Sequence, residues 1–181
     1  DHRYRKAARA PLGPAERARP DGTVLDAPPA PLADAPGVAL GGGLEVLGVG
    51  YPERVRPGRG FVFAIALRCP ETGGRRWRAA LAGRPEHGEP FEYRHPVADG
   101  MWVPQHGSGD GVIVSRVVIR PPAGLTPGNY RLFWRLYDGD SGEPWPVAAD
   151  AAEDARDDGL EVGAVEMTRE APRGVAGVAW A

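Results

Sequence analysis

The sequence predicts an all-β chain, two antiparallel sheets packed face to face, and three observations predict it. Glycine (26) and proline (20) punctuate the 181 residues too often for long helices. Between these breakers, apolar residues recur at every second position, the period of a half-buried strand. A composition of 42% hydrophobic and 25% charged residues is globular, and the length suits one domain with a real core rather than two full-sized ones.

Residues 1–43 read as an extended, proline-rich arm. A basic cluster of Arg3, Arg5, Lys6 and Arg9 opens it, and Pro11, Pro14, Pro20, Pro28, Pro29, Pro31 and Pro36 exclude a long helix. Such a segment builds no core of its own, so Val24, Leu25, Leu32 and Val38 are its expected anchors on the sandwich or a partner. The basic cluster is expected to stay outside, facing an anionic membrane surface or an acidic partner. Gly41, Gly42 and Gly43 form a joint before the first strand.

Residues 44–168 read as the sandwich, and residues 169–181 as a tail without strong signal. A first strand carries Leu44, Val46 and Val49, and a turn follows at Arg56, Pro57, Gly58 and Arg59. Phe61, Phe63, Ile65 and Leu67 then fall on one face of a second strand. In the third, Trp77, Ala79 and Leu81 point inward, and Arg76 and Arg78 outward. Cys69, the single cysteine, ends a strand before Pro70 and excludes an internal disulfide or a cysteine-built metal cluster.

A weaker segment holds Phe91 and Tyr93. Val112–Ile119 is so rich in β-branched residues that it reads as strand without ambiguity. In the long strand after Pro127 and Gly128, Tyr130, Leu132, Trp134 and Leu136 share one face; Arg131, Phe133, Arg135 and Tyr137 share the other. Turn, tyrosine and alternating strand together form a tyrosine corner, with the Tyr130 hydroxyl bonded to backbone near residues 124–126. A turn at residues 138–143 leads to a short edge-like strand at Pro144, Trp145, Pro146 and Val147. After an acidic loop, Leu160–Met167 forms the last strand. The total is about seven or eight short strands joined in Greek-key fashion, an immunoglobulin-like sandwich.

Several function classes are excluded. A net charge of −2 and a pI near 6.1 give no chain-wide field for nucleic acid. No apolar run reaches membrane length, and no signal-peptide succession is present. The start at Asp1 without methionine is expected of an excised or processed piece. His87, His95 and His106, with Asp99 or Asp110, match no compact metal-ligand spacing, and the acidic turn from Asp138 to Glu143 lacks a calcium-loop layout. Ser108, Ser115 and Ser141 sit in no nucleophile elbow, the glycine-rich loop at residues 107–111 lacks a P-loop lysine, and the carboxylates crowd into the solvated stretch at residues 150–158. The expectation is no enzyme, no cofactor and no metal.

Aromatic residues remain the candidate binding groups. Trp77 and Trp134 alternate with charged residues and read as core; Trp102, Trp145 and Tyr93 lie in or beside loops. There they either meet a glycan by stacking or cap the ends of the sandwich.

A resemblance is carried by Val55, Pro57 and Gly58, by residues 61–67, by Trp102 to Pro104, by residues 125–138, and by Ser141, Gly142 and Glu143 with Val147. In that order they resemble the soluble β-sandwich domain appended to bacterial polytopic glycosyltransferases similar to protein mannosyltransferases. The likeness covers residues 44–167; the loop after Trp102 is richer in His and Gly than the pattern, and the acidic stretch is longer. Because the transfer chemistry of that family sits in the membrane part, the resemblance implies a non-catalytic, extracytoplasmic accessory domain. Its expected partners are a membrane-embedded portion of the same protein, another protein or a glycan. The alternative is a free-standing secreted carbohydrate-binding or adhesion module.

Overall fold

The structure, a computed structural model, describes residues 24–25, 38–68, 77–97, 111–145 and 159–169. Its strands are β1 (Val24–Leu25), β2 (Val38–Ala39), β3 (Glu45–Gly50), β4 (Arg54–Val55), β5 (Phe61–Arg68), β6 (Trp77–Pro85), β7 (Phe91–Pro96), β8 (Val112–Ile119), β9 (Gly128–Asp138) and β10 (Leu160–Met167). A 3-10 turn spans Gly41–Gly43. Two five-stranded sheets result, in the orders β1-β8-β5-β3-β2 and β4-β10-β9-β6-β7. All neighbours are antiparallel except β4 and β10, which run parallel.

The alternation read from sequence sets the core. Phe63, Ile65 and Leu67 on β5 face Leu81 on β6 and Tyr130, Leu132, Trp134 and Leu136 on β9 in one buried cluster. Each large side chain removed from water contributes roughly 1.5–3 kcal/mol, which is why these rows decide the inner faces.

Four features depart from the expectation. Among the described residues, seven strands of six residues or more match the expected seven or eight, and three two-residue strands, β1, β2 and β4, add to them, each carrying too little pattern to be read. Two of these lie in the segment assigned to the arm: Val24 and Leu25 pair with Ile113 and Val112, and Val38 and Ala39 with Val46 and Glu45. Leu32 and the Arg3, Arg5, Lys6 and Arg9 cluster lie outside the described residues. β6 runs on to Pro85, and its outward Ala80 and Ala82 are buried as fully as its inner face. Of the strand expected at residues 144–147, Pro144 and Trp145 are described and carry one bridge, Tyr137 to Pro144; residues 146–147 lie outside the described residues.

The chain passes from the first sheet to the second between β3 and β4, and Tyr51 pins that crossing. Its ring stacks on Phe63, with centroids 6.2 Å apart, and its hydroxyl donates to the Val162 carbonyl at 3.3 Å. β10 bulges there between Glu161 and Gly163. Gly163 adopts φ +136, and a Cβ at this position would collide with the Tyr51 hydroxyl, so both backbone and space require glycine.

Candidate interaction face

Of the rings proposed from sequence as ligand-facing, the structure describes Trp145 and Tyr93. Trp145 is buried: its ring packs against Trp77 with centroids 4.4 Å apart, and its indole N–H donates to the Gly41 carbonyl. It closes one end of the sandwich, because a bicyclic ring beside a second one gains more from burial than from water. Tyr93 pairs with Leu81, lies on the inward side of β7 and packs half-buried against the core. Trp102 lies outside the described residues.

The tyrosine corner is present. Tyr130 is fully buried and its hydroxyl donates to the Thr126 carbonyl at 2.9 Å. Burial pushes that hydroxyl above the usual phenol range.

The other polar candidates serve local structure. Asp138 is buried, and its carboxylate accepts from the backbone N–H of Asp140 at 2.8 Å, an Asx turn in place of a cation site. The Ser141 hydroxyl accepts from the Glu143 N–H. His95 sits on a strand and is buried, with Nδ1 3.0 Å from the Pro96 carbonyl oxygen; His87 is exposed, and His106 is outside the described residues. Among the described residues, no group of three or more His, Cys, Asp or Glu is placed to hold a metal ion. No helix among them is long and apolar enough to cross a membrane.

What the fold does assemble is the outer face of β7-β6-β9-β10. Strand register lines its side chains into rows: Glu92, Ala82, Phe133 and Glu161; Arg94, Ala80 and Arg135; Pro96, Arg78 and Tyr137; Arg84 and Arg131. Five arginines thus stand against three glutamates, since Glu166 shares this face of β10, where it is paired to Arg54 of β4. The rings lie beneath the cations: the Arg131 guanidinium is 5.1 Å from the Phe133 ring centre, and that of Arg94 is 5.6 Å from Tyr137.

Alanines explain the layout. Arg135 reaches from β9 across β6 to Glu92 on β7, Nη2 to Oε2 2.7 Å, and only a methyl-sized side chain beneath leaves room for that span. Glu92 also receives the Arg94 Nε at 2.7 Å. Burial alone would raise its carboxyl, but the Arg94 hydrogen bond and the charges of Arg135, Arg94 and Arg84 hold it below the ordinary carboxylate range. Arg131 binds both oxygens of Glu161, whose carboxyl is lowered by that hydrogen bond.

The sequence placed Arg131, Phe133, Arg135 and Tyr137 together correctly. It missed Glu92 and Arg94, whose alternation about Tyr93 was the available signal, and the buried Ala80 and Ala82, which look like poor strand formers in isolation. No family model matches the chain, and no curated protein matches it.

Proposed function

We propose that this chain is a non-catalytic β-sandwich module that recognises an acidic protein partner through the outer face of β7-β6-β9-β10. The observation that carries the reading is the concentration of Arg78, Arg84, Arg94, Arg131 and Arg135 on one sheet face in a chain of net charge −2. Planar guanidinium groups fit carboxylates, and two of the five, Arg94 and Arg131, are held in place over rings. Stacking of a neutral sugar fits less well, because Phe133 and Tyr137 are already covered and Trp145 is buried.

The division of β3 and β4 between the two sheets supports an immunoglobulin-like class for the sandwich. Display outside the cytoplasm, beside a membrane-embedded glycosyltransferase unit, belongs to the same proposal. It is supported by the resemblance through residues 55–67 and 125–143.

The test is NMR titration of the full chain with poly-L-glutamate at low and moderate salt. Shifts confined to the arginine rows, lost in the Arg78→Glu, Arg84→Glu double variant and weakened by salt, are expected. Shifts scattered over the whole surface, or unchanged in that variant, would reject the face.

A further inference from the structure

A second surface, independent of the arginine face, lies at one end of the sandwich. The β4–β5 turn, the start of the β8–β9 connection and the end of β10 meet there, and backbone hydrogen bonds set the place of each. The Arg59 N–H donates to the Arg56 carbonyl at 3.0 Å, closing a turn that brings the two Cα atoms within about 7 Å. The Gly58 N–H donates to the Pro121 carbonyl at 3.0 Å, which docks that turn on the residue after Arg120. This approach requires glycine: Gly58 has φ +76, and a Cβ there would meet the Ala123 Cβ at 3.0 Å. The Thr168 N–H donates to the Val55 carbonyl at 2.9 Å, so Arg56 and Arg169 each come directly after a hydrogen-bonded residue.

Arg56, Arg59, Arg120 and Arg169 are all exposed. Among the described residues, none of their guanidinium groups makes an ion pair, a hydrogen bond or a ring contact, in contrast to Arg54, Arg68, Arg94 and Arg135. The carboxylates at this end stand apart. Glu166 is engaged by Arg54 at 2.7 Å, and Glu53 precedes β4 whereas Arg56 follows it. Glu86 and Glu89 belong to the β6–β7 turn, on the side of the second sheet away from β4. Like charges gathered without counter-charges repel one another, so the cluster fits an anion from outside the chain.

The two exposed large hydrophobics among the described residues adjoin these arginines. Val118 is 55% exposed and Val62 39%, and they are direct cross-strand partners. Arg120 follows Val118 by two positions, the period that returns a side chain to the same face, and Arg59 precedes Val62 by three. Projecting turns with cations and an aliphatic margin match a flat anionic interface, where guanidinium groups meet headgroup phosphates and short apolar side chains rest at the headgroup boundary. An acidic protein would have to offer a concave counterpart to the same turns.

We infer that this end of the sandwich docks on an anionic phospholipid surface through Arg56, Arg59, Arg120 and Arg169, with Val62 and Val118 at the interface. Each guanidinium near such a surface strengthens binding about fivefold, so the four act as one reversible, salt-sensitive anchor.

The experiment is co-sedimentation of the full chain with vesicles of phosphatidylglycerol and phosphatidylcholine in equal parts, and with vesicles of phosphatidylcholine alone. Binding to the first only, falling as salt is raised, is expected. Arg59→Glu, Arg120→Glu should weaken it by about 25-fold or more while leaving the circular dichroism unchanged, since neither side chain has a partner to lose. Val62→Ser, Val118→Ser should weaken it by about threefold or more. Arg78→Glu, Arg84→Glu should lose far less than the first variant, which separates this end from the outer face of β7-β6-β9-β10. Wild-type sedimentation of Arg59→Glu, Arg120→Glu would overturn the inference and assign the vesicles to the Arg3, Arg5, Lys6 and Arg9 cluster. Equal loss in both arginine variants would overturn it in favour of attraction by the chain at large. So would polyphosphate or poly-L-glutamate binding through Arg59 and Arg120 without binding of vesicles, which would make the ligand a soluble polyanion or an acidic protein.

Discussion

Arg135 and Glu92 form an ion pair although a whole strand separates them. The salt bridge passes over Ala80 and Ala82 of β6, joining β9 to β7, and it buries two small residues that would otherwise face water. Three packed strands are thereby tied by charge on one face and by Leu81, Trp134 and Leu136 on the other.

The pair sets an acid limb to stability. The folded-state pKa of Glu92 lies below its ordinary value, so its contribution is present above the ordinary carboxylate pKa and is lost as pH falls through the folded value. Denaturant unfolding measured across the acid range should show stability falling in that window for the wild type. In Glu92→Gln the fall should be shallower, and raised salt should narrow the difference, because both side chains are about one-third exposed. An identical acid limb in the variant would show that the arginines do not hold the carboxylate.

Gly83 makes a sharper demand. A Cβ there would lie 2.1 Å from the Phe91 ring, which pairs across from it and contacts Tyr130 at 6.0 Å between centroids. Gly83→Ala should therefore destabilise by about 1–3 kcal/mol through overpacking, despite the better strand propensity of alanine. Trimming the ring in Gly83→Ala, Phe91→Leu should return part of that loss, a coupling of about 0.5–3 kcal/mol in a double-mutant cycle. Additive effects would mean that the ring moves aside freely.

Most of the fold was legible because the long strands repeat with period two: Phe61 to Leu67 and Tyr130 to Tyr137 could be assigned to faces residue by residue. β1, β2 and β4 were not legible, since two residues hold no period and their pairing is decided by distant edges of the sheets. The candidate face was half legible. Arg131 and Arg135 follow from alternation, but Glu92 joins them only through the register of three strands, which no local pattern encodes. For Trp145 the local pattern leaves two readings open, a ring at the rim or a cap on the end of the sandwich, for a related reason. Between two prolines it resembles a loop-tip ring, while its burial depends on Trp77, far away in sequence.

That contact is testable. If Trp145 closes the sandwich, Trp145→Ala should cost about 3 kcal/mol, as loss of a large buried ring does. Trp145→Phe should keep much of the packing and lose about 1 kcal/mol with the Gly41 hydrogen bond. A ring kept for ligand contact would leave the melting temperature unchanged in both variants.

Tyr130 carries the remaining prediction, because one side chain does two separable jobs. Its ring fills the core beside Phe91, and its hydroxyl fastens the turn at Thr126 to the start of β9. Tyr130→Phe removes only the second, leaving a carbonyl without its partner; the expected cost is about 1 kcal/mol, since Thr126 lies at the exposed surface where water restores part of the bond. The variant should also change the alkaline limb. Burial raises the folded-state pKa of Tyr130, so the stability tied to its neutral form is fully present below the ordinary phenol value and disappears as pH rises through the raised one. Phenylalanine has no proton to lose, and the fall in stability above neutral pH should be smaller in the variant than in the wild type. Parallel alkaline limbs would place the loss elsewhere, in the other tyrosines or the arginine ion pairs, and would reduce the corner to packing alone.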